Sequence, residues 1–202
     1  MKIFPLLSIA VIAIVVSESF KAQSISTITE YLNVSGPVDF NKKSYKLNWT
    51  SHPSANYYKQ EYLAAGESAD KFTSMVMLEA LTGNTTIKEL VAAKVNELKT
   101  MKENNPYVNY ESFTNGHTGE YMLDFLVTAN GADGKIAIAE RNVYRYTTFS
   151  DKSGNKGVLL FGIATRSYGA ATNNFITSLK TTKKELVDKV SQSNMPVVNI
   201  SK

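Results

Sequence analysis

Apolar and polar residues follow two different spacings along the chain, and each spacing predicts a kind of secondary structure. In residues 56–64, Tyr58 and Tyr62 fall on one side and charged residues on the other, an alternation typical of a strand. Residues 72–81 carry a second apolar run, which we predict to be a strand paired with the first. A helical start over residues 68–72 is the alternative for this segment.

The pattern is weaker before this strand pair. Residues 45–49 predict a short strand, which we expect to stop at Ser51-His52-Pro53. Residues 23–44 are rich in Ser, Thr and Asn and contain a break at Gly36-Pro37. They predict a polar N-terminal segment that packs loosely.

The clearest predicted element is a helix over residues 86–102. Thr86 and Glu89 form a capping-box pattern, in which the hydroxyl and the carboxylate satisfy backbone donors at the helix start. Pro106 ends the pattern, because proline cannot continue the backbone hydrogen bonds. A second helix is predicted over residues 172–191. The apolar stripe of the first helix consists of Ile87, Leu90, Val91, Val95, Leu98 and Met101.

Four apolar segments between the helices predict an antiparallel meander. Glycine and Asn/Asp residues separate them and supply the positive φ angles that tight turns need. In the second segment Leu123 and Phe125 alternate with Met122 and Leu126, so both faces of that strand are apolar and we expect both to be covered. The four segments are 108–113, 119–129, 135–149 and 157–168.

The predicted order of two strands, a helix, four strands and a final helix indicates an α+β fold. We expect an antiparallel sheet of about six strands flanked by two main helices, forming an α/β/α sandwich. No repeat or linker interrupts residues 45–195. Residues 45–202 are therefore predicted to form one globular domain.

This element order, together with two local segments, resembles a known group of proteins. Residues 118–125 read TGEYMLDF and residues 140–146 read ERNVYRY, and both look like uncharacterised exported bacterial proteins. The order of elements over residues 45–192 resembles the Mog1/PsbP-like sandwich. Because members of that group are mainly binding or accessory proteins, the resemblance implies such a role here. It carries no functional residue onto this chain.

The first residues predict export. Lys2 is followed by an apolar run from Ile3 to Val16 and then by a polar stretch, which is the layout of a signal peptide over residues 1–22. The run is shorter than the roughly 20 apolar residues that span a bilayer. We expect cleavage after Ala22 and a periplasmic or secreted product without an integral membrane span. An uncleaved anchor is the alternative.

Composition narrows the function classes further. The chain has no cysteine, which excludes disulfides, thiol catalysis and thiolate metal sites. Its formal charge is +4, and apart from a Lys-rich final helix its basic residues are interleaved with acidic ones. Because a nucleic-acid binder concentrates positive charge on one face, we expect no nucleic-acid partner. An envelope protein or a small ligand is the expected kind of partner.

The sequence holds few groups for catalysis. His117 lies in a predicted turn, with Glu120 three residues later, and could act as a general base. Neither a nucleophile elbow nor a phosphate-binding loop is present. A zinc site would need both His52 and His117 together with a carboxylate. We therefore expect neither a metal nor a cofactor, and read His117 foremost as an exposed turn residue.

A set of charged residues lies in strands that otherwise look buried. Burying a charge is costly unless it is paired. Placing Asp124 directly opposite Arg141 also places Glu120 opposite Arg145, whereas a shift of one residue sets Asp124 against Glu140. The charges therefore favour the first register. The complete set is Glu120, Asp124, Glu140, Arg141, Arg145 and Arg166.

Two interpretations of this charged set are open. The residues could line a pocket for an anionic or zwitterionic ligand, held through the arginines. Alternatively, they could be cross-strand pairs that only stabilise the sheet. The leading hypothesis for the whole chain is an exported, non-catalytic binding or accessory protein. The alternative is a small hydrolase that uses His117 with a nearby carboxylate or serine.

Overall fold

The computed structural model describes residues 28–34 and 36–200, so the predicted signal peptide lies outside the described residues. The main element is one antiparallel sheet of eight strands in the spatial order β1-β2-β3-β4-β8-β7-β6-β5. Two helices accompany the sheet, and a 3-10 turn at Gly169–Ala171 precedes the second. The elements are β1 (Val38–Phe40), β2 (Lys43–Ser54), β3 (Tyr57–Ala64), β4 (Ser74–Thr82), α1 (Ile87–Asn104), β5 (Asn109–Thr114), β6 (Tyr121–Asn130), β7 (Ile136–Ser150), β8 (Lys156–Tyr168) and α2 (Thr172–Gln192).

The predicted six-strand α/β/α sandwich is wrong. The protein is mostly sheet, and its eight strands curl into a half-barrel. Helix α1 packs against β5, β6 and β7, and α2 packs against β7 and β8, so both helices lie over the same half of the sheet. The expectation failed because two apolar faces show that a strand is covered, but not that a helix covers it.

Each face of the sheet has its own core. On the face that carries α2, apolar residues of all strands from β1 to β4 join those of β7 and β8, including Tyr62, Leu78 and Phe161. On the face that carries α1, Leu98 packs with Leu123 and other residues of β6 to β8. The α2-side core therefore extends beyond the helices, over the half of the sheet that they leave uncovered.

Segments near the two ends of the described chain cover that half. Leu32 is fully buried, and its N–H donates to the side-chain oxygen of buried Gln60, at 2.9 Å. The main-chain N–H of Asn199 donates to the Leu32 carbonyl at 2.7 Å, while Val198 and Ile200 are buried beside it. The polar segment expected to pack loosely therefore contributes Leu32 and strand β1 to the core.

Local signals placed most elements correctly. The capping box of α1 is present, since Glu89 N–H donates to the Thr86 hydroxyl and Thr86 N–H donates to the Glu89 carboxylate. The predicted stop at residues 51–53 is wrong, because β2 continues to Ser54. Pro53 is tolerated there because no described strand pairs with the outer side of this part of β2.

Gly162 shows why one strand interior carries a glycine. A Cβ atom at this position would lie 2.9 Å from the ring of Tyr144 on the neighbouring strand. That ring crosses β8 toward Met77 on β4, and its edge meets Phe125 at a centroid distance of 4.9 Å. Because Gly162 has no side chain, Tyr144 of β7 can contact both β4 and β6 on the α1 side of the sheet.

Candidate functional site

A cavity of about 520 Å³ lies where α2 passes over the edge of the sheet formed by β5 and β6. We call it the β5 cavity. Its lining comes from the α1–β5 loop, Pro106 to Val108, from one surface of α2, and from strands β5, β6 and β7. The lining residues are Lys102, Pro106, Tyr107, Val108, Asn109, Tyr110, Glu111, Asp124, Phe125, Leu126, Arg141, Ile176, Leu179, Lys180 and Lys183.

One ion pair in the lining of the β5 cavity is buried. Arg141 Nε and Nη2 donate to the two carboxylate oxygens of Asp124 at 2.9 and 3.0 Å. Their side chains are only 4% and 6% exposed. Arg141 Nη2 also donates to the main-chain carbonyl of Lys183 on α2 at 2.6 Å. This bidentate geometry fixes the guanidinium and removes the cost of leaving either charge unpaired.

The lining of the β5 cavity carries excess positive charge, and we call the part that holds the exposed residues Lys102 and Lys180 the entrance. The lining residues include four cations and two carboxylates, which is a net charge of +2. Asp124 neutralises Arg141, and Glu111 pairs with Lys183. Among the described residues, the Lys102 ammonium donates only to the Asn109 side-chain oxygen, at 3.5 Å, and Lys180 is exposed. These two lysines therefore supply the net charge of the entrance.

Arg141 holds the middle of α2, and a second arginine holds its C-terminal end in the same manner. Arg145 Nη2 donates to Glu120 at 2.7 Å, and its Nη1 donates to the carbonyl of Ser193 at 2.8 Å. Arg141 and Arg145 lie about 13 Å apart along a strand. The carbonyls they bind, on Lys183 and Ser193, lie about 15 Å apart along a helix. The two arginines therefore fix α2 along β7, and this placement forms one side of the cavity.

The two predicted ion pairs are confirmed, but the predicted register is wrong by two residues. Asp124 lies directly opposite Val143, and Arg141 lies opposite Leu126. Each acid therefore reaches its arginine diagonally across the ladder, which long side chains can do. A register shift of two residues leaves every side chain on the same face of the sheet. The charge pattern therefore identified the partners without determining which residues stand opposite each other.

The remaining two residues of the charged set lie on the other face. Arg166 Nε donates to Glu140 at 2.6 Å, and the Arg166 guanidinium lies 4.0 Å from the centre of the Phe72 ring. Asn142 also donates to Glu140, at 2.9 Å. The six predicted residues thus form three ion pairs on two faces, and only Asp124 and Arg141 line the β5 cavity.

A polar group on β3 and β4 shares this second face. Lys59 approaches Glu79 to 3.3 Å, and the Tyr57 hydroxyl donates to Glu79 at 2.5 Å. Burial, and then the charge of Glu79, raise the pKa of the Tyr57 hydroxyl above its usual range, so it remains a donor. Burial also raises the pKa of Glu61, although the nearby Lys59 charge opposes the effect. None of these side chains lines the β5 cavity.

The two histidines lie apart from the β5 cavity. His117 is exposed in the β5–β6 turn, where its main-chain N–H donates to the Asn115 side chain. It lines neither the β5 cavity nor a second cavity of about 800 Å³ at the start of α1. His52 stacks on Tyr58 with ring centroids 4.2 Å apart. Within residues 28–34 and 36–200, no cluster of three or more metal-ligating side chains occurs.

Several cavity residues carry no functional signal in the sequence. Ile176 and Leu179 have the spacing of an apolar helix stripe, which predicts contact with a core. Lys180 belongs to a Lys-rich helix whose pattern predicts a solvated face, and the position of Pro106 predicts the end of a helix. The β5 cavity combines segments that are far apart along the chain, so no spacing rule within one segment could have identified it. The one sequence feature that indicated residues of the cavity was a charged residue within an apolar strand.

The comparisons with known proteins give a family. No curated protein and no solved structure matches the chain, so the resemblance to the Mog1/PsbP-like group is not confirmed. In the part of the chain that the structure describes, no helix combines the length and apolar character needed to cross a membrane. A protein-family model matches residues 32–195, most of the chain, and the protein therefore belongs to that family, an uncharacterised family of bacterial proteins.

Proposed function

We propose that this protein is an exported, non-catalytic binding protein whose β5 cavity takes a small amphipathic anion. The observation that carries the proposal is the combination of apolar walls with a net charge of +2 in one cavity. A volume of about 520 Å³ lies within the roughly 300–1,000 Å³ typical of small-molecule sites. Export rests on the signal-peptide pattern of residues 1–22.

The walls suit the apolar part of such a ligand. Leu126 on β6 and Ile176 and Leu179 on α2 supply aliphatic surface, and Tyr107 supplies aromatic surface. All four are at least partly accessible, so they can contact a ligand without unfolding the core. Tyrosines are suited to this task because they present a large apolar ring and a polar hydroxyl with little loss of conformational entropy.

The charges suit an anionic head group at the entrance. Lys102 and Lys180 contribute positive charge there, while the fixed Asp124–Arg141 pair supplies a buried polar surface in the same lining. Both carboxylates among the described lining residues are already in ion pairs, and no lining residue is a histidine or serine. This composition favours binding over hydrolysis, because it offers neither a free general base nor a nucleophile with a partner.

Three ligands with the same ten-carbon chain test the proposal. We expect the purified protein to bind decanoate by calorimetry, decanol more weakly, and decyltrimethylammonium least. Lys180→Ala should weaken decanoate binding about two- to fivefold, as expected for a charge pair near the surface, and the loss should shrink at high salt. The mass of the protein recovered after expression reports on export, since a chain beginning at Gln23 is expected.

Lys184→Ala is the matched control. Lys184 is exposed on the same helix but lies outside the cavity lining and pairs with Asp188. This variant should bind decanoate as the parent does. Equal binding of the three ligands, binding of none, or the same loss from both lysine variants would contradict the proposal.

A further inference from the structure

The sheet has two edges, and they differ in how well they are protected. At one edge, β1 covers only the start of β2, from Lys43 to Tyr45. The rest of β2 is irregular, with register shifts between Leu47 and Trp49 and between Ser51 and Ser54. It also contains Pro53. Bulges and proline are the devices by which proteins prevent an edge strand from pairing with another chain.

Strand β5, at the other edge, has none of these devices. Its six residues, from Asn109 to Thr114, pair with β6 without a register shift. It contains no proline and no lysine. No described strand pairs with its outer side. Because antiparallel ladders direct alternate residues to opposite sides, every second residue of β5 turns its N–H and C=O groups away from β6.

The open edge and the β5 cavity adjoin each other. Asn109 and Glu111 line the cavity, and they lie on the α2 face of β5, opposite Leu126 and Asp124 of β6. A strand added outside β5 would run about 4.8 Å away and would direct alternate side chains to that same face. One of these side chains would therefore reach the entrance of the cavity, near Lys102 and Lys180.

We infer that the natural ligand is an extended peptide segment that adds to β5 as a ninth strand and places an acidic side chain at the entrance of the β5 cavity. This inference rests on the proposed function, whose anion site it uses. Main-chain hydrogen bonds to β5 hold the segment, and the cavity selects its side chain, which is how peptides that extend a sheet are recognised.

Charge distinguishes this occupant from a second copy of the same chain. Pairing β5 with β5 of another copy would bring two entrances together, each lined by residues of net charge +2. Like charges at close range oppose such pairing. An acidic peptide, in contrast, complements the two lysines. The acidic segment is therefore the favoured occupant, and self-association through β5 is an outcome that the test must separate from it.

The first test uses synthetic peptides. A displayed library of eight-residue peptides with glutamate at position four is selected on the purified protein, and enriched peptides are measured by fluorescence anisotropy. Replacing the glutamate by lysine should weaken binding at least about tenfold. N-methylation of alternate residues should abolish binding in one alternating pattern and preserve it in the other, because only one edge of the peptide faces β5.

The second test changes the protein. Ser112→Pro and Phe113→Pro each remove one N–H of β5 at a residue outside the cavity lining, and one of these N–H groups points away from β6. The variant that keeps the parent melting temperature should lose peptide binding at least about tenfold while it still binds decanoate. Ser112→Ala, the control, should leave both interactions unchanged. The N-methylated peptides give the same information if neither proline variant folds.

The outcomes separate the inference from the proposed function. Decanoate binding without any enriched peptide would overturn the inference and leave the proposed function standing. If N-methylation leaves peptide binding unchanged, the peptide does not add to β5 as a strand, and this outcome would overturn the inference as well. Concentration-dependent dimerisation that Ser112→Pro or Phe113→Pro abolishes would overturn the inference and assign the edge to a second copy. If neither decanoate nor any peptide binds, the proposed function itself fails.

Discussion

Arg141 combines three interactions that are usually separate. It neutralises Asp124, donates to a carbonyl of α2, and contributes to the polar surface of the β5 cavity. Arginine suits this position because its planar guanidinium offers several donors in a fixed arrangement, whereas lysine offers a point charge. The ion pair is therefore a structural element of the cavity, and a ligand would meet a surface that is already organised.

A double-mutant cycle tests the buried pair. Asp124→Ala and Arg141→Ala should each lower the free energy of unfolding by about 3–5 kcal/mol, because each leaves a buried charge without its partner. The double variant should lose less than the sum, with a coupling of about 0.5–3 kcal/mol in urea denaturation.

The exposed pair of Lys184 and Asp188 on α2 is the control for that cycle. Its lysine side chain is 83% exposed, so solvent screens the interaction. The same cycle there should give a coupling of about 0.5 kcal/mol or less. Additive losses at Asp124 and Arg141 would show that these two residues act independently.

At the scale of elements, the two helices are stabilised in different ways. Helix α1 has a complete capping box and buries Val91 and Leu98 against the sheet. Helix α2 has no side-chain cap at its start and buries only Thr172 and Val190. Two arginines of β7 hold it by its carbonyls instead. The position of α2, and with it the cavity, therefore depends on β6 and β7 more than on the helix itself.

Substitutions in α1 test this description. Thr86→Ala should cost about 1 kcal/mol of unfolding free energy through loss of the cap. Leu98→Ala should cost about 2–5 kcal/mol, because Leu98 is fully buried. Leu90→Ala should cost less than Leu98→Ala, since Leu90 is only half-buried. Thermal denaturation of the three variants gives this order, and a silent Leu98→Ala would contradict it.

At the scale of the whole molecule, the C-terminal residues hold the sheet and the N-terminal segment together. Asp151, in the β7–β8 turn, accepts a hydrogen bond from Ile200 N–H at 3.0 Å and others from Asn155. Burial acts to raise the Asp151 pKa, but the hydrogen bonds from Asn155, Ile200 and Ser153 outweigh it and hold that pKa below its usual value. The ionised carboxylate therefore keeps residues 198–200 on the core.

Acid should weaken the attachment of residues 198–200 to the Asp151 carboxylate. Because the pKa of Asp151 is lower in the folded protein, its stabilising effect is complete above the usual value of 3.8. The effect is lost as the pH falls through that value toward the folded-state pKa. We expect hydrogen exchange at Asn199 and Ile200 to accelerate as the pH falls below about 4, after correction for intrinsic exchange. Asp151→Asn should show fast exchange there at neutral pH and little further change in acid.

The sequence predicted the cavity only in part. It identified Asp124 and Arg141 as partners, because a charge in an apolar strand needs an opposite charge. It did not indicate Tyr107, Leu179 or Lys180, because their sequence patterns are those of ordinary loop and helix residues. Their role depends on α2 lying beside β5, and contacts between segments so far apart leave no local pattern.

The sequence by itself determined the local elements, because caps, turns and apolar spacing act over a few residues. The capping box at Thr86 and the glycine-rich turns between β6, β7 and β8 are examples. Only the tertiary structure decided the strand order, in which β4 pairs with β8 and leaves β5 at an edge. That order depends on burying both faces of a curled sheet at once. The helices cover one half of the sheet, and the segments around Leu32 and Val198 cover the other half on the α2 side. The open edge and the β5 cavity beside it follow from the same packing.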